Sequence, residues 1–113
     1  MAECLFCSIA AGDIPADIVL STETVVAFRD IEPQAPTHVL VIPKAHYENI
    51  GALSAEDPAL AGGLADAARQ VADADGIGDA YRLVFNTGAG AGQSVFHVHG
   101  HVLGGRDLTW PPG

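Results

Sequence analysis

An α+β fold built on an antiparallel sheet is predicted by three features of this 113-residue chain. Five short segments rich in β-branched or alternating apolar residues end at prolines, glycines or polar turns, which is how strands read in a sequence. Sustained helical spacing occurs in one long stretch and one short one. Most strands are separated by short turns, so the strands form a meander and not a series of βαβ units. The length suits a single domain spanning residues 1–113, large enough for a real core.

The elements follow in chain order. In "AECLFCSIAAGDIP", Leu5, Phe6 and Ile9 recur at helical spacing, and Gly12 and Pro15 stop the run, which predicts a short N-terminal helix. "DIVLST" and "TVVAFRD" read as a hairpin. The two prolines of "IEPQAP" impose an irregular, stiff loop, and "THVLVIP" is a third strand closed by Pro43. Ser54, followed by Glu56 and Asp57, predicts the N-cap of the long helix, whose buried face carries Leu60, Leu64, Ala67, Ala68 and Val71. "YRLVFN" is a fourth strand, "TGAGAGQ" a glycine loop, and "SVFHVHGHVLGG" a fifth strand.

That fifth segment places His97, His99 and His101 at every second position. Strand residues alternate between faces, so the three imidazoles share one side while Val98, Gly100 and Val102 share the other. Burial alone does not select such a row, because each neutral imidazole needs hydrogen-bond partners. Three readings compete: a merely polar exposed strand, a metal site, or a nucleophile flanked by donors around an anion. The preceding "NTGAGAGQS" favours the anion, since flexible backbone offers N–H groups, with the Gln93 amide and the Ser94 hydroxyl beside them.

Composition removes several function classes. Fourteen acids against five Lys and Arg give a net charge of −9, which repels a nucleic-acid polymer. No apolar run approaches the ~20 residues of a membrane span. Acidic Glu3 and the early Asp13 do not suit a signal peptide, so the expected compartment is the cytoplasm. The only cysteines, Cys4 and Cys7, are spaced C-x2-C, which in a cytosolic chain suggests metal or redox chemistry before a disulfide.

Together "HVHGHVL", "DIEPQAPTHVLVIPK", "NTGAGAGQS" and "GGRDLTWPPG" resemble the histidine triad (HIT) superfamily, in particular its Hint-like purine nucleotide-binding hydrolases. The resemblance implies a HIT-like five-stranded antiparallel sheet with one long and one short helix, extended across a homodimer. It implies that His99 attacks the α-phosphorus of a purine nucleoside monophosphate, such as an AMP or GMP conjugate, bearing an amine or similar leaving group. His101 and Ser94 would contact the phosphate, Gln93 would help stabilise developing charge, and His38 would support the nucleophile. Asp30 would bind the ribose, with Asn86 near ribose or phosphate. Leu5, Phe6, Ile9, Phe28 and Ile31 would form the base pocket, and Trp110 would lie near the site, reaching it from a neighbouring subunit.

The same resemblance implies a structural zinc on Cys4, Cys7, His46 and His97, with no cofactor needed for the chemistry. Two positions depart from the pattern. Gly100 replaces a large apolar residue, which predicts weakened packing behind the histidines. Thr109 stands where some relatives carry histidine, which bears on leaving-group preference. Two other readings stay open: a nucleotide-binding regulatory module with negligible turnover, and a catalytic zinc centre made by the histidine row.

Overall fold

A computed structural model describes residues 4–113. It contains β1 (Ile18–Ser21), β2 (Val25–Arg29), β3 (Thr37–Pro43), β4 (Tyr81–Phe85) and β5 (Gly100–Gly104), with helices α1 (Leu5–Ala10), α2 (Ile50–Glu56) and α3 (Pro58–Ala74). The strands form one antiparallel sheet in the order β1-β2-β3-β5-β4, so the α+β reading holds but the simple meander does not: α2 and α3 carry the chain from β3 to the far edge, and β5 returns to pair between β3 and β4.

The long helical stretch is divided. Asn49, not Ser54, caps the first helix by accepting from the Ala52 N–H, while the Ser54 hydroxyl donates back to the Gly51 carbonyl inside α2. Asp57 then caps α3 through the Leu60 N–H, with Pro58 in the first helical turn. A proline is welcome there, where no intrahelical N–H is needed, but inside one continuous helix it would break the ladder. Pro58 therefore sets the boundary between two helices.

Period-two patterning assigns each strand residue to a layer. Val25, Ala27, Val39, Val41, Val98 and Val102 pack against Leu53, Leu64, Ala67, Ala68 and Val71 of α2 and α3. The opposite face carries Val26, Phe28, Leu40 and Ile42 beneath Phe6 and Ile9 of α1. The first layer is the main core; the second is the floor on which the functional residues stand.

β5 is shorter than its sequence pattern suggests. Regular pairing begins at Gly100, so His97 and His99 precede the ladder. Their alternation survives nonetheless: Val98 and Val102 enter the α3 layer, whereas the His97 and His99 rings meet Phe6 on the other side. Gly100 leaves no void behind them. A Cβ at that position would come within 2.8 Å of Phe85 and 2.9 Å of Leu83, so β4 side chains already occupy the space that the sequence suggested was empty.

Candidate active site

β3 and β5 bring two histidines together by register. Leu40 pairs with His101 and His38 with Leu103, so His38 and His101 are diagonal neighbours on the site face. His38 Nε2 lies 2.9 Å from His101 Nδ1, and the Gln34 backbone N–H donates to His38 Nδ1 at 3.0 Å. These contacts fix the tautomers. With Nδ1 accepting, neutral His38 carries its proton on Nε2 and donates it to His101 Nδ1, which leaves the His101 proton on Nε2. Burial, joined by the fields of His99 and His38, lowers the His101 pKa to about 4. Burial also lowers that of His38, against the pull of Asp30. Both rings are therefore neutral donors near pH 7.

His99 is oriented differently. Its Nδ1 lies 2.9 Å from the His97 carbonyl oxygen, and an oxygen of that kind only accepts. The proton is thus on Nδ1, and Nε2 keeps its lone pair. His38, expected to support His99, touches His101 instead, and the chain's own backbone orients the middle histidine. The Phe6 ring meets His99 edge-on at 5.0 Å, and His101 lies 5.0 Å from His99, ring centre to ring centre.

These groups open onto a cavity of about 630 Å³ whose walls include Leu5, Phe6, Ile9, Phe28, Asp30, Ile31, Ser94, His99 and His101. A cavity of this size with an apolar wall and a few converging polar groups is what small-molecule sites look like. Phe6, Ile9 and Phe28 are buried in its floor, whereas Ile31 is 95% exposed at its rim. Asp30 Oδ1 accepts from the Glu32 N–H at 2.8 Å, and Oδ2 sits 3.4 Å from His38 Nε2. Sequence reasoning missed Ile14, Ala16 and Leu40 in the wall. Leu40 was accessible to it, because it shares the strand parity of His38; the residues before β1 had no comparable signal.

Three expected members lie elsewhere. The Gln93 amide is buried and fully used: its oxygen accepts from the Gly88 N–H at 2.8 Å, and its nitrogen donates to the Glu48 and Val95 carbonyls at 2.6 and 3.0 Å. Gln93 therefore shapes the loop and does not face the cavity. Asn86 and Trp110 do not line it either, and Trp110 is 85% exposed. The glycine loop also differs from the expected cradle of free amides. The N–H groups of Ala91, Gly92 and Gln93 return to the Gly88 and Ala89 carbonyls, and Gly88 and Gly92 adopt positive φ to allow this tight turn. Only Ser94 and Val95, just beyond the loop, reach the cavity.

Cys4, Cys7, His46 and His97 form a second constellation, with their ligand atoms all within 4.8 Å of one another. His46 Nδ1 and His97 Nδ1 are 3.2 Å apart, and each cysteine sulfur is 3.4 Å from His97 Nδ1. Tetrahedral zinc requires ligand separations of about 3.3 Å for two nitrogens and about 3.6 Å for nitrogen and sulfur. The donor set fits that geometry. His97 Nε2 donates to the Pro43 carbonyl at 2.8 Å, which leaves Nδ1 free to bind an ion, the usual outer-shell arrangement of a ligating histidine. Burial and the neighbouring Cys4 push the Cys7 thiol up, so a bare thiolate is disfavoured here until a cation arrives. Asp30, His38 and His101 are also close enough together to hold an ion. In that group, however, the lone pair of His101 Nδ1 is already engaged by the His38 proton.

The HIT domain family pattern matches residues 11–108. The chain belongs to the HIT domain family. Among curated proteins it is 51% identical to an uncharacterized HIT-like protein of Synechocystis over 109 residues, 96% of each chain. It is 46% identical to a 14 kDa zinc-binding protein of Zea mays over 111 residues, 96% of this chain and 87% of that one. Among solved structures, a HIT family hydrolase from Legionella pneumophila superposes with a TM-score of 0.94 at 50% identity, covering 98% of this HIT chain and 100% of that one. A HIT family hydrolase from Clostridium thermocellum gives 0.91 at 41% identity, with 96% of each chain covered.

Proposed function

We propose that this HIT protein is a cytoplasmic purine nucleoside phosphoramidase, or a closely related nucleotide hydrolase, that works through His99. The observation that carries the reading is the tautomer of His99: the His97 carbonyl holds the Nδ1 proton, and an unprotonated Nε2 remains on a residue lining the cavity. The names of the Legionella and Clostridium relatives support hydrolysis.

In this reading the base rests against Phe6, Ile9 and Phe28, the ribose hydroxyls donate to Asp30, and the phosphate lies beside Ser94. His99 Nε2 attacks the α-phosphorus, and the bond to the leaving nitrogen breaks as a nucleotidyl-histidine forms. His101, with its proton on Nε2, donates a hydrogen bond to the phosphoryl group, and the departing nitrogen takes its proton from solvent as it leaves. The water that then cleaves the intermediate returns a proton and releases the nucleoside monophosphate. The two steps add one water across the scissile bond. His38 keeps the His101 proton on the useful nitrogen. Zinc held by Cys4, Cys7, His46 and His97 has a closed ligand set with no open position, so its contribution is structural.

The reading includes a homodimer, supported by the position of β4 at the edge of the sheet, where no further strand among the described residues pairs with it, since an open strand edge invites pairing. Exposed Trp110 is then available to the second subunit. Acid-quenching the protein with labelled adenosine 5′-phosphoramidate and locating the label by mass spectrometry tests the chemistry. Label on His99 together with AMP release is expected; label on another residue, or AMP bound but never formed, refutes it.

A further inference from the structure

We infer that the Cys4–Cys7–His46–His97 cluster and the nucleotide cavity are energetically coupled, so that metal bound at the first raises affinity at the second; this rests on the nucleotide reading above. The three cluster residues outside the histidine row, Cys4, Cys7 and His46, are thereby positioning residues for the site.

Two physical connections carry the inference. The first is α1. It has only six residues, Leu5–Ala10, far too few to persist as an isolated helix. Cys4 caps it by accepting from the Cys7 N–H, and both sulfurs belong to the cluster. Yet this same turn and a half supplies Leu5, Phe6 and Ile9 to the cavity wall. A metal that ties both cysteines to His46 and His97 fixes the wall against the sheet. Without that tie, the wall is anchored mainly by the apolar contacts of Phe6 and Ile9 with the layer beneath.

The second connection is His97 itself. Its ring enters the cluster through Nδ1, while its carbonyl holds the Nδ1 proton of His99. Phe6 bridges the two, its ring centre 6.1 Å from that of His97 and 5.0 Å from that of His99. Moving His97 therefore disturbs both the nucleophile and the aromatic wall beside it.

Coupling of this kind is reciprocal: if metal tightens nucleotide binding by some factor, nucleotide tightens metal binding by the same factor. A metal that only held the fold together would show no such dependence under conditions where the metal-free protein stays folded, which circular dichroism of the stripped protein checks before titration. Co²⁺ serves as the probe, because thiolate ligation makes it coloured. Its affinity is measured by competition with a chelator, with and without saturating AMP. We expect AMP to tighten Co²⁺ binding about fivefold or more, within the usual range of site-to-site coupling. The AMP dissociation constant should rise by the same factor when the metal is stripped.

Loaded protein that binds AMP with unchanged Co²⁺ affinity overturns the coupling and leaves the nucleotide reading intact. Loaded protein that does not bind AMP overturns the nucleotide reading itself. His46→Ala supplies an independent arm, since His46 is exposed and outside the cavity wall. With the fold verified by circular dichroism, this variant should bind AMP more weakly than the loaded parent; equal affinity refutes the coupling.

Discussion

The two ends of the histidine row differ more than their spacing suggests. His97 is fully buried, with one ring nitrogen directed into the cysteine cluster and the other donating to the Pro43 carbonyl. His101 is partly exposed to the cavity, and one nitrogen is engaged by His38 while the other keeps a proton to donate. His99 stands between them and is oriented by the backbone of the first. Identical side chains on one face thus acquire separate chemistry from whatever each nitrogen meets. The row is a series of environments, not three copies of one group.

The largest test of that division is His99→Ala. Removing the attacking atom should lower turnover of adenosine 5′-phosphoramidate on the order of 10⁴-fold or more, as deletion of a nucleophile commonly does. The melting temperature should change little by comparison. A variant that keeps a tenth of its activity would dissolve the distinction between the middle histidine and its neighbours.

Cys7→Ser tests the other end. It removes a cluster ligand that does not itself line the cavity, so its main effect should be on stability, by about 4 kcal/mol or more. That corresponds to a drop of about 15 °C in Tm. Scanning calorimetry with and without a chelator checks this: chelation should lower the parent's Tm toward that of Cys7→Ser and barely move the variant. If the variant melts with the parent while activity vanishes, the two ends have been assigned the wrong way round.

Acid sharpens the contrast at the cavity end. The His101 pKa is lowered to about 4, beneath the ordinary value of 6.5 that applies when the chain is unfolded. The unfolded chain thus binds the extra proton first as pH falls. The contribution is complete above pH 6.5 and is lost as pH falls through about 4. The direction for His38 is the same. Equilibrium urea unfolding at several pH values should show the acid slope shrink in His101→Asn, and an unchanged slope would contradict the burial of this pair.

The sheet was legible because strand period and proline punctuation act locally. "THVLVIP" became β3 at its predicted bounds, Thr37–Pro43, since every residue from Thr37 to Pro43 is buried and nothing competes with the ladder. The split of the long helix was equally present in the sequence at Pro58, but its consequence depends on Asn49 and Asp57 both finding N–H partners. At the site, alternation identified the face of the three histidines even though regular pairing starts only at Gly100. What spacing could not provide was the direction of individual polar groups. Gln93 looks like a donor beside an anion, yet its partners Gly88, Glu48 and Val95 come from three places in the chain. The amides of Ala91, Gly92 and Gln93 are likewise consumed within their own turn, a property of closed geometry and not of composition. His38 and His101 meet through strand register, which no local pattern records.

Gly100→Ala gives the smallest and most discriminating effect, because it sits between the two histidines closest to the chemistry while pointing away from them. A methyl group here would approach Phe85 and Leu83 at under 3.0 Å, so those side chains must shift. Overpacking of this sort costs about 1–3 kcal/mol. If the faces of the segment are as separate as its period implies, denaturant midpoints should fall while the kcat of adenosine 5′-phosphoramidate cleavage stays within about twofold, a barrier change of ~0.4 kcal/mol. A collapse of kcat with unchanged stability would mean that packing on the helical face reaches through the strand to set the histidine positions, and the division between core and chemistry would have to be redrawn at this residue.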